Sequence, residues 1–321
     1  MAGFLARRSA QMVIVLIGVT IIAFILENLI ASGPRLAHAL LGPRANAAQI
    51  AAFVHEYGLD QGLPVRYLAF LWQLVHGNLG FSFKQNESVD AIVLQDLPKD
   101  ALLVGSSIVL GLFIAVPVGM FQAAKRNRPT DYLGTAVSFG LYSMPAFWLG
   151  LLLIGGFSIS LHLFPSEAPQ ATSFGAIVTD PQALVLPIAT LTLINYALFS
   201  RYVRGSTIEQ AAQDYVRSAQ AKGVPTSRVY SRHLMRNSLG PVMTLLGLAL
   251  PGIITNGLIV EIVFNFPGLG LSFFNAAQNL DYPVELGITV LVAMATVVGS
   301  LFADIAYAML DPRVRIYGSA R

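Results

Sequence analysis

"DYVRSAQAKGVPTSRVYSRHLMRN" runs from Asp214 to Asn237 and carries five cations, Arg217, Lys222, Arg228, Arg232 and Arg236, against one acid, Asp214. Long apolar runs flank it on both sides. Its local chemistry reads as helix, tight turn, helix. Asp214 suits the cap of a first helix, "YVRSAQAK", Gly223 suits the left-handed position after it, and Pro225 is a stop. Thr226 or Ser227 suits the cap of a second helix through "RVYSRHLMRN", where Arg228, Arg232 and Arg236 recur every four residues as a basic stripe. Ser218, Ala219 and Ala221 are small and let another backbone approach closely. Charge alone suits a loop resting on lipid headgroups; the ordered turn chemistry favours a docking surface.

Outside this stretch, composition predicts an all-α integral membrane protein. Hydrophobic residues make up 55% of the 321 and charged residues 12%, with mean hydropathy +0.64 and net charge +3. A soluble domain carries about 25% charged residues. The absence of cysteine excludes disulfides, thiolate metal sites and cysteine nucleophiles. A crossing helix needs ~20 mostly apolar residues. Six stretches qualify, roughly 10–31, 101–123, 133–157, 183–203, 241–263 and 286–309, the fourth being the weakest because Asn195 and several Thr interrupt it. Pro117, Pro145, Pro187 and Pro251 read as simple kinks in or beside these spans. The apolar run after Arg7 and Arg8 is longer than the ~7–15-residue core of a signal peptide and reads as a retained anchor.

Six spans put both termini on one side. That side holds fifteen of the Lys and Arg residues, the opening stretch included, and the other holds five, which predicts cytoplasmic termini. The segment of about 32–100 then lies outside. Within it Val65, Leu68, Leu71, Trp72 and Val75 fall at helical spacing before a turn at "HGNLG", predicting a short helix against the outer membrane face. A second external loop, about 158–182, carries Pro165, Pro169 and Pro181; a third, "FNFPGLGLSFFNAAQNLDYPVE", reads as a segment dipping back towards the bundle.

The opening stretch resembles the cytoplasmic coupling loop of importer-type ABC transporter permeases. The general pattern there is Glu-Ala-Ala, three residues, then Gly; the same offset here gives Arg217, Ser218, Ala219 and Gly223. Arg217 replaces the Glu, as in the peptide-transporter branch, whose loops read like "DYVRTARAKG". "LPIATLTL" and "RYVRGS" before the loop, "VFNFPGLG" and "DYPVELG" after it, and "GLDQGLPVRYL" in the external segment agree in order. From "FLARRSAQMVIVLIGVTIIAFIL" to "DPRVR" the chain is similar to the B-type permease of dipeptide and oligopeptide importers. One departure is "GNLGFSF", with Asn78 where relatives often carry an acid.

The resemblance implies a single permease domain over 1–321 with the six-span type I importer fold. It implies a large external insertion between spans 1 and 2 and a coupling loop at about 204–240. It assigns Arg217, Ser218, Ala219, Lys222, Gly223, Arg228 and Arg232 to the ATPase-coupling loop, Ala219 and Gly223 for close contact and the turn, and Arg217, Lys222 and Arg228 for electrostatic contact. The implied partners are a second, homologous permease, two ATPase subunits or one fused ATPase, an extracytoplasmic binding protein, a peptide substrate and membrane lipid, with no nucleic acid. ATP and Mg would sit on the partner subunits and no cofactor on this chain, which has no G-x-x-x-x-G-K-[ST] phosphate loop. The implied location is the bacterial cytoplasmic membrane, multi-pass.

Ionisable residues in membrane spans are functional candidates. Glu27 and Glu261 fall near outer ends, where water reaches, and Asp304 near an inner end. Asn256, Glu261, Phe266 and Pro267 are candidate pathway residues; helix-to-helix bonding for Asn256 and core packing for Phe266 and Pro267 are the alternatives. Sister importers of nickel, glutathione or another small solute are the alternative within the class. A secondary carrier would want internal repeats and mid-membrane titratable groups, and neither is evident. An intramembrane hydrolase is disfavoured because His38, His55, His76, His162 and His233 all fall outside the spans. A scaffolding membrane protein would explain the topology but not the ordered motifs.

Overall fold

The apolar runs become helices. The computed structural model describes residues 2–310 apart from 31–32, 35–36, 38–40, 43, 57, 172, 226–227 and 250–256. In chain order the elements are α1 (Ala2–Ile30), α2 (Ala47–Glu56), α3 (Leu63–Val75), a hairpin of β1 (Phe81–Ser82) and β2 (Glu87–Ser88), and α4 (Val89–Ala124). There follow α5 (Pro129–Ser143), α6 (Ala146–Leu153) running into a π-turn at Ile154–Ser160, α7 (Phe174–Val178) and α8 (Pro181–Ala211). The last are α9 (Asp214–Ala221), a second π-turn at Val229–Leu234, α10 (Met235–Ser238), α11 (Gly240–Ala249), α12 (Leu258–Phe264), α13 (Leu269–Asn279) and α14 (Tyr282–Leu310). Among the described residues α4, α8 and the 282–301 part of α14 are each long and apolar enough to cross a bilayer.

The described residues pack as two compact units, one within 1–98 and 268–298, the other within 99–267 and 299–310. In the first, α3 lies against α1: the Thr20 and Tyr67 hydroxyls are 2.9 Å apart, and Phe24 meets Tyr67 and Phe70 at ring distances of 5.5 and 5.8 Å. The expected helix is therefore present. Its other face leaves Val65, Leu68, Trp72 and Val75 exposed. The hairpin, which carries no period-2 signal, pairs Phe81 with Ser88 and Ser82 with Glu87 antiparallel. The Ser82 hydroxyl donates to buried Asp281 at 2.5 Å, and the Leu79 N–H donates to Asp90 at 2.8 Å. Asn78, the departure noted above, turns the chain by accepting from the Gly80 N–H at 2.9 Å.

The second unit is built around α8. Its apolar window is 56% buried, against 28% in α4, so the least apolar span is the central one. Its polar residues are spent inside the bundle: Asn195 donates to Ser107 at 3.1 Å, Thr190 bonds the Leu186 carbonyl at 2.8 Å, and Ser200 meets Ser138 at 3.0 Å. Interhelical and back-bonded hydroxyls of this kind suit helices enclosed by protein. The α4–α8 contact runs through Gly111, Ala115 and Gly119. A Cβ at Gly111 would lie 2.8 Å from Asn195 Cβ, and one at Gly119 would lie 2.8 Å from the Ser200 carbonyl. Residues four apart share a helix face, so this is a small-residue seam that brings two backbones together.

Two expectations change. Pro145 is no simple kink: α5 ends at Ser143, Met144 is extended at ψ 131°, and the two halves bend by 106°. Proline lacks an N–H and drives the preceding residue out of the helical region. The helix of the second span begins at Val89, twelve residues ahead of expectation, so 89–100 is helical. Of the fifth span, α11 and α12 are described; residues 250–256 between them, Pro251 and Asn256 included, lie outside the described residues.

Candidate coupling site

Continuous helix carries α8 to Ala211, and only Ala212 and Gln213 separate it from α9. Gln213, extended at φ −76° and ψ 151°, occupies the cap position with no side-chain capping bond. Asp214 therefore heads the first turn and does not cap it, because the cap position had already been taken up by the short link. There its charge favours the helix N-terminus. It also lies 3.8 Å from Arg217 Nη1, an exposed pair that adds little stability.

The far end matches expectation closely. Gly223 is left-handed at φ +75°. Its N–H donates to the Gln220 carbonyl at 2.9 Å, and the Val224 N–H donates to the Ala219 carbonyl at 3.2 Å. These are the paired bonds of a Schellman motif, which satisfy carbonyls the helix end would leave open. The motif's hydrophobic contact is also present: Val224 and Ala219 both pack on a small core of Val216, Val229 and Leu234. Ala219 is thus half-buried and faces the loop's own core. Arg217, Ser218, Ala221, Lys222 and Gly223 are exposed and form the outward face.

After the turn, the Pro225 carbonyl accepts from the Arg228 and Val229 N–H groups at 2.9 and 3.1 Å. Thr226 and Ser227 lie outside the described residues. The second helix opens as a π-turn, closing with Met235 N–H on the Tyr230 carbonyl five residues back. In that wider turn a four-residue step no longer completes a revolution. Arg228 and Arg236 are exposed; the Arg232 side chain lies outside the described residues.

A buried ion pair ties the α8 end to α5. Arg204 donates from Nε to Asp131 Oδ1 at 2.6 Å and from Nη2 to Oδ2 at 2.8 Å; the Asp131 side chain is 1% exposed. The Asn127 N–H adds a third bond to Asp131 at 3.0 Å. Both acceptor oxygens are satisfied, which a buried carboxylate requires.

Of the candidate pathway residues, Glu261, Phe266 and Pro267 sit in one neighbourhood of the second unit, and Asn256 lies outside the described residues. Glu261 is fully buried and not water-facing; a Cβ on Gly257 would meet its Oε1 at 2.5 Å. Phe266 is fully buried in a core with Leu103, Val104, Ile177 and Phe264, and its N–H donates to the Glu261 carbonyl at 2.8 Å. Pro267 is half-buried. The loop of 158–182 is pinned to this corner, Ala168 N–H bonding the Phe264 carbonyl at 2.8 Å and Gln170 Nε2 the Asn265 carbonyl at 2.6 Å. Sequence reasoning passed over the Gly111–Ala115–Gly119 seam and the Asp131–Arg204 pair. The seam was legible as small residues at four-residue spacing; the pair, 73 residues apart, carried no local signal.

Comparison with known proteins places these features in context. Residues 115–316 match the family model described as binding-protein-dependent transport system inner membrane component, and residues 1–104 match its N-terminal companion. The chain is 35% identical to the oligopeptide transport system permease protein AppB of Bacillus subtilis over 98% of its own length and 99% of that protein. It is 32% identical to the oligopeptide transport system permease protein OppB of Escherichia coli, covering 98% and 100% of the two chains. It is also 32% identical to the probable D,D-dipeptide transport system permease protein DdpB of that organism, covering 97% and 96%.

Proposed function

Because the chain belongs to the family of binding-protein-dependent transport system inner membrane components, we propose that it is the membrane-spanning permease subunit of an ATP-driven peptide importer. It performs no chemistry of its own. In this reading it crosses the membrane six times with both termini in the cytoplasm and forms half of the translocation pathway beside a second permease. An extracytoplasmic binding protein delivers peptide, and ATP with Mg acts on ATPase subunits docked beneath.

The observation that carries the mechanism is the closed, Schellman-capped α9, with Arg217, Ser218 and Lys222 outward and Ala219 locked onto the core of Val216, Val229 and Leu234. A ligand shifts a conformational equilibrium only by its differential affinity for the two states. ATP binding on the partners must therefore reach the spans through something stiff. α9 is joined to α8 by two residues, so displacement of its outward face is delivered to the helix at the centre of its unit. The π-turn behind it and the Arg204–Asp131 clamp hold the delivery end. Arg217, Lys222 and Arg228 supply charge to the docking cleft, and Gly223 supplies the turn. Glu261, Phe266 and Pro267 act on the pathway by shaping the packed corner above α12. Asn256 completes the set of pathway positions in this reading.

Purification of the chain in mild detergent from its host, with mass identification of the co-purifying subunits, tests the assembly. A second permease and ATPase polypeptides are expected. ATP hydrolysis stimulated by peptide with its binding protein tests the substrate; stimulation by nickel or glutathione in place of peptide would move the chain to a sister system. Purification of the chain alone would contradict the reading and favour a secondary carrier.

A further inference from the structure

The second unit contains a cavity of about 560 Å³ between α4, α5, α8 and α11 that the importer reading leaves unused. Two polar atoms lining it are buried without any hydrogen-bond partner: Gln122 Nε2, on a side chain only 2% exposed, and Thr135 Oγ1. Buried amides and hydroxyls are normally satisfied, and leaving them open is costly. The fold also makes room for the first of them, since a Cβ at Gly134 would collide with the Gln122 amide. The cavity therefore holds two donors with no partner among the described residues.

Its cation is Arg201. Arg204 lines the same cavity but is committed to Asp131. Arg201 makes no ion pair among the described residues; its guanidinium lies over the rings of Phe139 and Tyr142, at 4.3 and 4.8 Å from their centroids. Ring faces hold the cation in place without neutralising it. Glu209 lines the cavity too, exposed one turn or more beyond Arg204.

Position along α8 selects the ligand. Pro181 to Ser200 carries no charged residue, and at 1.5 Å per residue it covers about 30 Å, the thickness of bilayer hydrocarbon. Arg201 is the next residue, at the level of the lipid phosphates. Exposed aromatics, Phe139, Tyr142 and Tyr202, rim the cavity, as they do at membrane interfaces. The α4–α5 turn adds Lys125, Arg126 and Arg128.

We propose that this cavity binds the headgroup phosphate of an anionic phospholipid, with Arg201 as the cation, Gln122 and Thr135 as neutral donors, and the acyl chains lying along the aromatic rim. Basic pockets between membrane helices recognise such headgroups by this chemistry. The proposal needs α8 to cross the bilayer and does not rest on the importer assignment.

The test is native mass spectrometry of the delipidated protein, with its co-purifying subunits, titrated with phosphatidylglycerol, phosphatidylcholine or inorganic phosphate. One retained phosphatidylglycerol per chain is expected, with phosphatidylcholine not retained. Arg201→Gln should weaken retention at least tenfold and Thr135→Val severalfold. The valine variant is nearly isosteric and carries the test if the first does not fold. Equal retention by wild type and both variants would overturn the proposal, as would equal retention of the two lipids. Competition by millimolar inorganic phosphate would make the site a free-anion site and overturn the lipid assignment. Displacement by a peptide with a free C-terminus, but not by its amide, would give the cavity to the transport pathway and overturn it likewise.

Discussion

Arg204 holds Asp131 through two parallel hydrogen bonds, 2.6 Å from Nε and 2.8 Å from Nη2, across the α5–α8 contact. Removing Arg204 leaves the buried Asp131 carboxylate without its cation, a loss of about 3–5 kcal/mol; removing Asp131 leaves Arg204, which is 27% exposed, unpaired and costs less. Asp131→Ala and Arg204→Ala should each lower the melting temperature of the detergent-solubilised chain, Arg204→Ala the more sharply. Arg204→Lys should recover only part of it, since an ammonium cannot form the two-pronged pair. Melting curves matching wild type for both alanine variants would mean the pair is not buried in the working protein.

The α4–α8 seam makes an independent prediction. At Gly119 an added Cβ would lie 2.8 Å from the Ser200 carbonyl and 2.9 Å from Val203 Cβ. Backbone cannot yield as a side-chain tip can, so Gly119→Leu should destabilise by about 1–3 kcal/mol or more. Gly140, where a Cβ meets nothing within 4 Å, is the matched control. Thermal stability of Gly119→Leu and Gly140→Leu, measured side by side, should separate clearly; equal values would contradict the close helix approach.

Gly223 separates conformation from crowding. Among the described residues nothing lies within 4 Å of where its Cβ would be, yet its φ is +75°. Asparagine tolerates the left-handed region and a β-branched residue does not. Gly223→Asn should keep transport near wild type, whereas Gly223→Val should leave ATP hydrolysis running with transport reduced about tenfold or more. Equal transport by the two variants would show that the turn does not transmit the stroke.

Asp281, in the link between α13 and α14, gives a pH prediction. Burial is the main cause that raises its carboxyl above the usual range, opposed by the Ser82 hydrogen bond and the charge of Lys84. The folded state therefore holds its proton to higher pH than the unfolded chain. Stability from this group falls as pH rises from about 4, where a free carboxylate titrates, through the raised folded value. Asp281→Asn keeps an oxygen for Ser82 and removes the charge. The stability gain of the variant over wild type should be small at pH 4 and larger at pH 7, read by melting temperature; a pH-independent difference would contradict it.

Much of this molecule was legible in the residues because its cues are local. Gly223 followed by Pro225 wrote the Schellman end of α9, and the spacing of Val65, Leu68 and Trp72 wrote α3. Local cues also misled where a neighbour decided. Asp214 looked like a cap, but α8 ran on to Ala211 and left Gln213 in that place. Pro145 looked like a kink until Met144 left the helical region. Asn195 and the threonines of α8 looked like weakness in a span, because sequence alone does not say that protein and not lipid surrounds it. Asp131 with Arg204, and Gln122 beneath Gly134, depend on helices meeting at distance and were out of reach.

The central claim is that the outward face of α9 docks on an ATPase subunit. The chain contains no cysteine, so a single introduced thiol reports unambiguously. Ser218→Cys places one on the exposed face of α9, and Ser160→Cys places a control thiol at the end of the π-turn after α6. The assembled complex would be treated with a short bifunctional thiol-to-amine cross-linker and the products identified by mass. The account predicts a Ser218→Cys adduct with the ATPase polypeptide and none from Ser160→Cys. ATPase adducts from the control alone, or from neither position in an intact complex, would contradict it.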